Sequence, residues 1–360
     1  MLTDAIPRDD LCRALIIKLR HHGDVLLASP VLSTLKAAAP RCEVDALVYA
    51  DTAPMVSGHP ALSQLHTIDR RWKTLGPAAQ ARAEWHLLST LRKRRYDLVV
   101  HLTEHRRGAW LTRLIAPRWS VAPRLRDGDR FWNGSFTHLY AQPGHALRHT
   151  VEKNLDALRR LGIDPEPVQR RLLLVPGAAA EARVEALLRE QGLAPRGFLH
   201  LHPGSRWHFK CWPVDRVAML AELLNIEHWP LVLTAAPDDA EMEMIAALKA
   251  RTDVPFIDIA GQISLKELAA LTARARLFIG VDSAPMHIAA AMGTPTVALF
   301  GPSGDREWGP WQVPHRVVAS DEHPCRPCGL DGCGGSKVSD CLTRLPVRRV
   351  YAACRELLAS

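Results

Sequence analysis

The sequence predicts an α/β protein built of two doubly wound halves, each a parallel sheet flanked by helices. Three observations carry this. Short apolar runs alternate with stretches of helical length. The alternation pauses near residue 163 and restarts near residue 198. And residues 278–302, FIGVDSAPMHIAAAMGTPTVALFGP, read as strand, sharp turn, helix, tight turn and strand.

In order, ALIIKL at 14–19 is a first strand, and 25–38 a helix with Pro30 in its first turn and Pro40 past its end. Residues 44–49 form a second strand, 85–95 an amphipathic basic helix and 96–102 (YDLVVHL) a third strand. Residues 118–150, rich in Arg, Trp and His, read as irregular loops over a site. A helix over 151–161 ends at Gly162, and IDPEPVQRR at 163–171 is a linker. The second half begins with a helix over 180–191. Strands at 198–202, 231–234 and 256–258 then alternate with helices at 213–224, 239–250 and 265–272. In the 278–302 segment, Phe278, Ile279 and Val281 form a buried strand, Ser283 caps a helix through Met292, Gly293 stops it, and 295–300 is the next strand. A last helix covers 347–358. The expected domains are 1–170 and 171–345, facing across a cleft, with 346–360 a terminal helix placed to pack back across the boundary.

The 360 residues are 47% hydrophobic and 23% charged, ordinary for a globular protein. The N-terminus MLTDAIPRDDLCR is polar and acidic, unlike a secretory signal, and the expected location is cytoplasmic. The net charge of +8 is uneven: residues 1–170 hold 26 Lys/Arg against 17 Asp/Glu, and the remainder 20 against 21. The basic half either meets something acidic (phosphorylated lipid, an anionic membrane surface or nucleic acid) or carries solvated basic faces. The candidate membrane surface is the helix bearing Arg92, Lys93, Arg94 and Arg95.

A helix N-terminus after Asp282-Ser283 is a natural phosphate cradle. HPGSRWHFKCWP (202–213) follows the first strand of the second half. Its Gly204-Ser205 turn, Arg206 and Lys210 have the composition of a diphosphate clamp, or of a βα loop with incidental cations. Gly23-Asp24 follows the first strand of the chain. Asp24 is placed either to take a proton from a bound hydroxyl or to cap the next helix. Asp238 and Asp239 follow another strand, where an acidic residue holds ribose hydroxyls or caps a helix. Asp127-Gly128-Asp129 has the D-x-D spacing of a divalent-ion site, but an Arg-rich surface turn explains it better. Cys325, Cys328, Cys333 and Cys341 (C-x2-C-x4-C-x7-C) read as a structural feature: a zinc site, a thiol loop or a redox-labile pair.

Three segments together resemble glycosyltransferase family 9, the lipopolysaccharide heptosyltransferases: LIIKLRHHGDVLLASPVLSTLKAAAP, HPGSRWHFKCWP and FIGVDSAPMHIAAAMGTPTVALFGP. With the tail CRPCGLDGCGGSKVSDCL, the likeness is greatest to the inner-core heptosyltransferase III branch. The resemblance implies a GT-B fold and inverting transfer of heptose from ADP-heptose to a heptose of the lipid A–core acceptor. It implies no metal, no cofactor and no nucleic acid, and a peripheral position on the cytoplasmic face of the inner membrane. By position, Asp24 matches the general base and Lys210 the donor-phosphate lysine. Ser205 and Arg206 occupy phosphate-side positions, where the family has hydroxyl residues and Arg206 departs from the pattern. Ile263 matches the main-chain adenine contact, Asp239 is the ribose choice, and Asp282 matches the residue binding donor-sugar hydroxyls. Ser283, Ala284 and His287 match the phosphate-binding turn and helix start. The alternatives are a family member with another acceptor, including inner-core heptosyltransferase I or II or a protein-modifying enzyme, and a non-catalytic nucleotide-sugar-binding protein.

Overall fold

The computed structural model describes residues 4–125, 129–141 and 148–359. The chain divides into two units, Met1–Leu174 and Val175–Ser360.

The first unit holds β1 (Arg13–Ile17), β2 (Glu43–Tyr49), β3 (Leu62–Ile68), β4 (Leu98–His101), β5 (Trp119–Pro123) and β6 (His138–Tyr140). All pairings are parallel, in the order β3-β2-β1-β4-β5-β6. The second unit holds β7 (Leu199–His202), β8 (Leu231–Leu233), β9 (Ile257–Asp258), β10 (Leu277–Val281), β11 (Thr296–Phe300) and β12 (His315–Ala319). Its sheet is also parallel, in the order β12-β11-β10-β7-β8-β9. Each sheet thus runs outward from its first strand, then returns to that strand's other side. The order reverses between β1 and β4 in one unit and between β7 and β10 in the other.

Central strands of such sheets are covered on both faces, which is why β1, β4, β10 and β11 read as largely apolar runs; β7, Leu-His-Leu-His, is equally buried. Leu15, Ile17, Leu47, Val99 and Leu91 share the core of the first unit. Leu199, Leu201, Ile279, Val281, Val297 and Leu299 form that of the second. The terminal helix, Val347–Leu358, buries Val350, Cys354 and Leu357 on one stripe. It packs on the helix Val214–Ile226 and on β10, β11 and β12, so it is part of the second unit's own core.

Several elements differ from the sequence expectation. The helix expected over 25–38 is two, His22–Leu26 and Ser29–Ala38, broken at Leu27 and Ala28. The basic helix begins eight residues earlier than expected, at Pro77, and runs to Arg94. The region 118–150 carries β5, the short helix Arg130–Asn133 and β6. The edge strands β3 and β12 and the helix Arg106–Ile115 were not foreseen either.

One charged cluster fixes the basic helix to its sheet. Asp45, fully buried on β2, accepts from Arg94 Nε at 2.9 Å and from the Tyr96 hydroxyl at 2.7 Å. Arg94 also reaches Glu43 at 2.6 Å, so it is not available to a lipid surface. Burial works to raise the Asp45 carboxyl, but bonds from His66, Arg94 and Tyr96 outweigh it and hold it below the ordinary 3.8. Its stabilising contribution is therefore complete above that ordinary value and is lost as pH falls through the lowered one. Arg94→Ala leaves Asp45 buried without its cation and is expected to cost about 3 kcal/mol. Thermal denaturation followed by circular dichroism checks this; an unchanged midpoint at pH 7 would contradict it.

Candidate functional site

In open parallel sheets, ligands bind beyond the carboxyl ends of the strands where the strand order reverses. In the second unit that point lies between β7 and β10, and most of the residues singled out in the sequence gather there. The loop after β7 carries Ser205, Arg206 and Lys210, the last on the short 3-10 turn His208–Lys210. Asp282 ends β10. Lys210 Nζ donates to Asp282 Oδ2 at 2.6 Å, joining the two strand ends. Asp282 is buried and Lys210 half-buried, so each offsets the cost of taking the other's charge out of water. Ser205 is buried and its hydroxyl accepts from Trp207 N, which leaves Arg206 on the exposed outer side of the turn.

Ser283 occupies the N-cap position of the helix Ala284–Ala291, but its hydroxyl makes no cap bond and instead donates to the carbonyl of Val281 at 3.3 Å. The positive end of the helix is therefore not screened by a side-chain cap. Ala284 begins the helix and His287 is buried one turn in. Gly293 follows its end at φ 72°, as the stop signal predicts.

The pair of aspartates after β8 resolves cleanly. Asp238 is the N-cap of the helix Asp239–Lys249 and accepts from Glu241 N at 3.1 Å. Asp239 is exposed in the first turn. Ile263 is half-buried in the turn before the helix Leu265–Arg274, whose start is held by the Ser264–Glu267 capping box.

In the first unit the order reverses between β1 and β4. Asp24 is the third residue of the helix His22–Leu26 and is half-buried. His21 holds the N-cap position, so Asp24 is not the helix cap. Beside it stands a group that sequence reasoning passed over. Lys18, buried just beyond β1, donates to the carbonyl of Leu102 at 3.0 Å and to Asn154 Oδ1 at 3.0 Å. Burial pushes its ammonium down to about 8, while the charge of Asp24 acts in the opposite direction. The available signal was a lysine at the end of an otherwise apolar strand, a position where a charge is retained only with partners.

Other sequence features do not join these sites. Of Asp127-Gly128-Asp129, the first two lie outside the described residues; Asp129 caps the helix Arg130–Asn133 and pairs with Arg106 at 2.8 Å. All eight cysteines are free; Cys325, Cys328 and Cys333 are exposed and Cys341 is buried. Among the described residues no group of three or more His, Cys, Asp or Glu stands where it could hold a metal ion. No helix among the described residues is long and apolar enough to cross a membrane.

Comparison with known proteins bears on both halves. The family model described as glycosyltransferase family 9 (heptosyltransferase) matches residues 84–337. The chain is 35% identical over 295 residues to lipopolysaccharide heptosyltransferase 3 of Escherichia coli, covering 81% of this chain and 84% of that one. Among solved structures, a glycosyl transferase family 9 protein from Veillonella parvula superposes with a TM-score of 0.84 at 22% identity, covering 99% of each chain. The E. coli heptosyltransferase WaaC with ADP-2-deoxy-2-fluoro heptose superposes with a TM-score of 0.73 at 20% identity, covering 96% of this chain and 99% of that one. The chain belongs to glycosyltransferase family 9, the heptosyltransferases.

Proposed function

We propose that this protein transfers heptose from ADP-heptose to a heptose of the lipopolysaccharide inner core, with inversion at the anomeric carbon and without a metal ion. The observation that carries the reading is the Lys210–Asp282 pair at the strand reversal of the second unit, beside an uncapped helix N-terminus. Such a place suits a sugar nucleotide: the helix end and Lys210 meet the diphosphate, and Asp282 meets sugar hydroxyls. The heptosyltransferase name of the E. coli relative and the ADP-heptose analogue in the WaaC structure support the choice of donor.

On this reading, Ser205, Arg206, Ser283, Ala284 and His287 complete the phosphate side, Asp239 binds the ribose and the main chain at Ile263 the adenine. In a single displacement, the acceptor oxygen forms its bond to the anomeric carbon as the bond to the diphosphate oxygen breaks. The acceptor proton passes to the Asp24 carboxylate, and the electron pair of the broken bond leaves with ADP. Charge accumulates on the diphosphate, so a positive clamp there acts on the transition state more than on the bound donor.

Asp24→Asn is expected to keep ADP affinity and to lose about 10²–10⁴-fold in kcat. Turnover of purified donor with truncated core acceptors, with product mass and linkage determined, checks this and the acceptor together. Unchanged kcat removes Asp24 from the role of base. Transfer to another acceptor moves the protein within its family, and ADP binding without any transfer makes it a sugar-nucleotide binder.

Lys210→Ala is expected to raise the donor KM about tenfold or more, since a charge-assisted bond of about 1.5–3 kcal/mol is lost. It also leaves Asp282 negative beside the diphosphate. Lys210→Ala with Asp282→Asn should therefore bind ADP better than Lys210→Ala alone. Equal affinities by calorimetry would show that the two side chains do not share the phosphate site.

An acceptor anchored in lipid calls for a surface that meets an anionic membrane. The helix Arg106–Ile115 turns Arg106, Trp110, Arg113 and Leu114 outward on one stripe, with Trp110 56% exposed. Trp110 packs on Phe131 with ring centroids 4.6 Å apart, and Arg113 lies over the same ring. Cations around an exposed tryptophan and leucine are the composition of a face seated among anionic headgroups. Trp110→Ala with Leu114→Ala should lose co-sedimentation with phosphatidylglycerol vesicles and keep turnover on a water-soluble acceptor. Undiminished vesicle binding would rule this face out.

A further inference from the structure

Glu241 is a buried carboxylate with no role in the chemistry above. It lies in the first turn of the helix Asp239–Lys249 and is 5% exposed. Its Oε2 accepts from Ala236 N, in the loop after β8, at 2.8 Å. The same oxygen stands 3.6 Å from His202 Nε2, at the end of β7. It also crowds the turn after β7: a Cβ on Gly204 would lie 2.5 Å from Oε2 and 2.8 Å from the carboxyl carbon. Gly204 does not have positive φ, so the glycine is required here by the approach of Glu241 and not by the turn's conformation.

A chain of hydrogen bonds fixes the protons. The Thr272 hydroxyl donates to the carbonyl of Leu268 at 2.6 Å, so it accepts from His200 Nδ1 at 3.0 Å. His200 is fully buried, and burial holds it well below its ordinary value, so the ring is neutral and its Nε2 accepts from the Thr234 hydroxyl at 2.7 Å. Thr234 has then spent its proton and accepts from His202 Nδ1 at 2.8 Å. With Nδ1 so engaged, the other ring nitrogen of His202 is the one turned toward Glu241 Oε2. Burial works to raise the Glu241 carboxyl, but His202 and Ala236 N overcome it and hold it below its ordinary value; His208 adds to the same effect.

We propose that Glu241 is a positioning residue that latches the turn carrying Ser205 and Arg206 to the loop leading to Asp239, fixing the spacing between the diphosphate and ribose ends of the donor site. The latch rests on the sugar-nucleotide reading of that site. It holds the bound nucleotide in ground state and transition state alike, so its loss appears in affinity and not in the chemical step.

The test compares Glu241→Ala and Glu241→Gln in the full chain, with ADP affinity measured by calorimetry and donor KM and kcat by turnover. Glu241→Ala removes the acceptor for Ala236 N and the partner of His202, and should weaken ADP binding and raise donor KM about tenfold, with kcat within about threefold. Glu241→Gln keeps the backbone contact and the shape of the side chain, since its amide oxygen takes the place of Oε2 and accepts from Ala236 N; it gives up only the charge facing His202. It should bind ADP within about threefold of the parent. Should Glu241→Ala not be recovered folded, Gly204→Ala, whose methyl displaces the carboxylate, should show the same selective rise in KM. Parent-like ADP affinity in both Glu241→Ala and Gly204→Ala, or a fall in kcat at unchanged KM, overturns the latch. A parent chain that does not bind ADP overturns the sugar-nucleotide reading and the latch with it.

Discussion

The strand order is the constraint on which the sites depend. In each sheet the chain lays down three strands to one side and then returns to the other side of the first. Two strands far apart in sequence become neighbours, and the loops leaving their carboxyl ends diverge to opposite faces. The gap between those loops is the one place at the strand ends where backbone does not cross. In the second unit, residues 72 apart in sequence then meet as Lys210 and Asp282. In the first, Lys18 at the end of β1 bonds the carbonyl of Leu102 just past β4.

The two lysines illustrate how similar topology supports different chemistry. Lys18 is sealed, with a carbonyl and an amide oxygen as its partners, and burial depresses its ammonium. A group so placed fixes its surroundings and carries a charge toward Asp24 without moving. Lys210 is half-buried, and it donates to another side chain. An ammonium on a flexible stem can reorient toward an arriving anion while keeping part of its contact with Asp282. Preorganised charge in one unit and a mobile cation in the other fit a reaction in which a base holds its place while a leaving group comes and goes.

The sequence made the central strands legible because burial on both faces writes continuous apolar runs, as in ALIIKL and FIGV. The edges were not legible for the converse reason. β3 is LSQLHTI, with solvent on one side, and β6 has three residues, too few for a period to show. The break at Leu27–Ala28 was hidden because both short helices are apolar there and Pro30 suits a first turn of either description. At the site, Lys210 and Asp282 could be marked by position, since loops after central strands carry ligand groups. Their pairing could not, because nothing local relates residues on nonconsecutive strands. Glu241 was invisible for another reason: a glutamate in the first turn of a helix looks like an ordinary dipole-favoured residue. Only the fold shows its carboxylate turned inward onto His202 and Gly204.

The Lys210–Asp282 pair also bears on how a donor would enter and leave. Asp282 is buried, and its charge is tolerated there because Lys210 lies 2.6 Å away. On the proposed reading, a diphosphate arriving beside it competes for the same ammonium, and binding is tighter where sugar hydroxyls donate to Asp282 as the lysine turns away. Nucleotide without its sugar supplies the competing anion but no replacement donor. The intact sugar nucleotide satisfies both charges, whereas the departing nucleoside diphosphate leaves Asp282 to reclaim the lysine. On that reading the same two side chains favour the loaded donor over the spent one, and the preference follows from the electrostatics of one buried carboxylate.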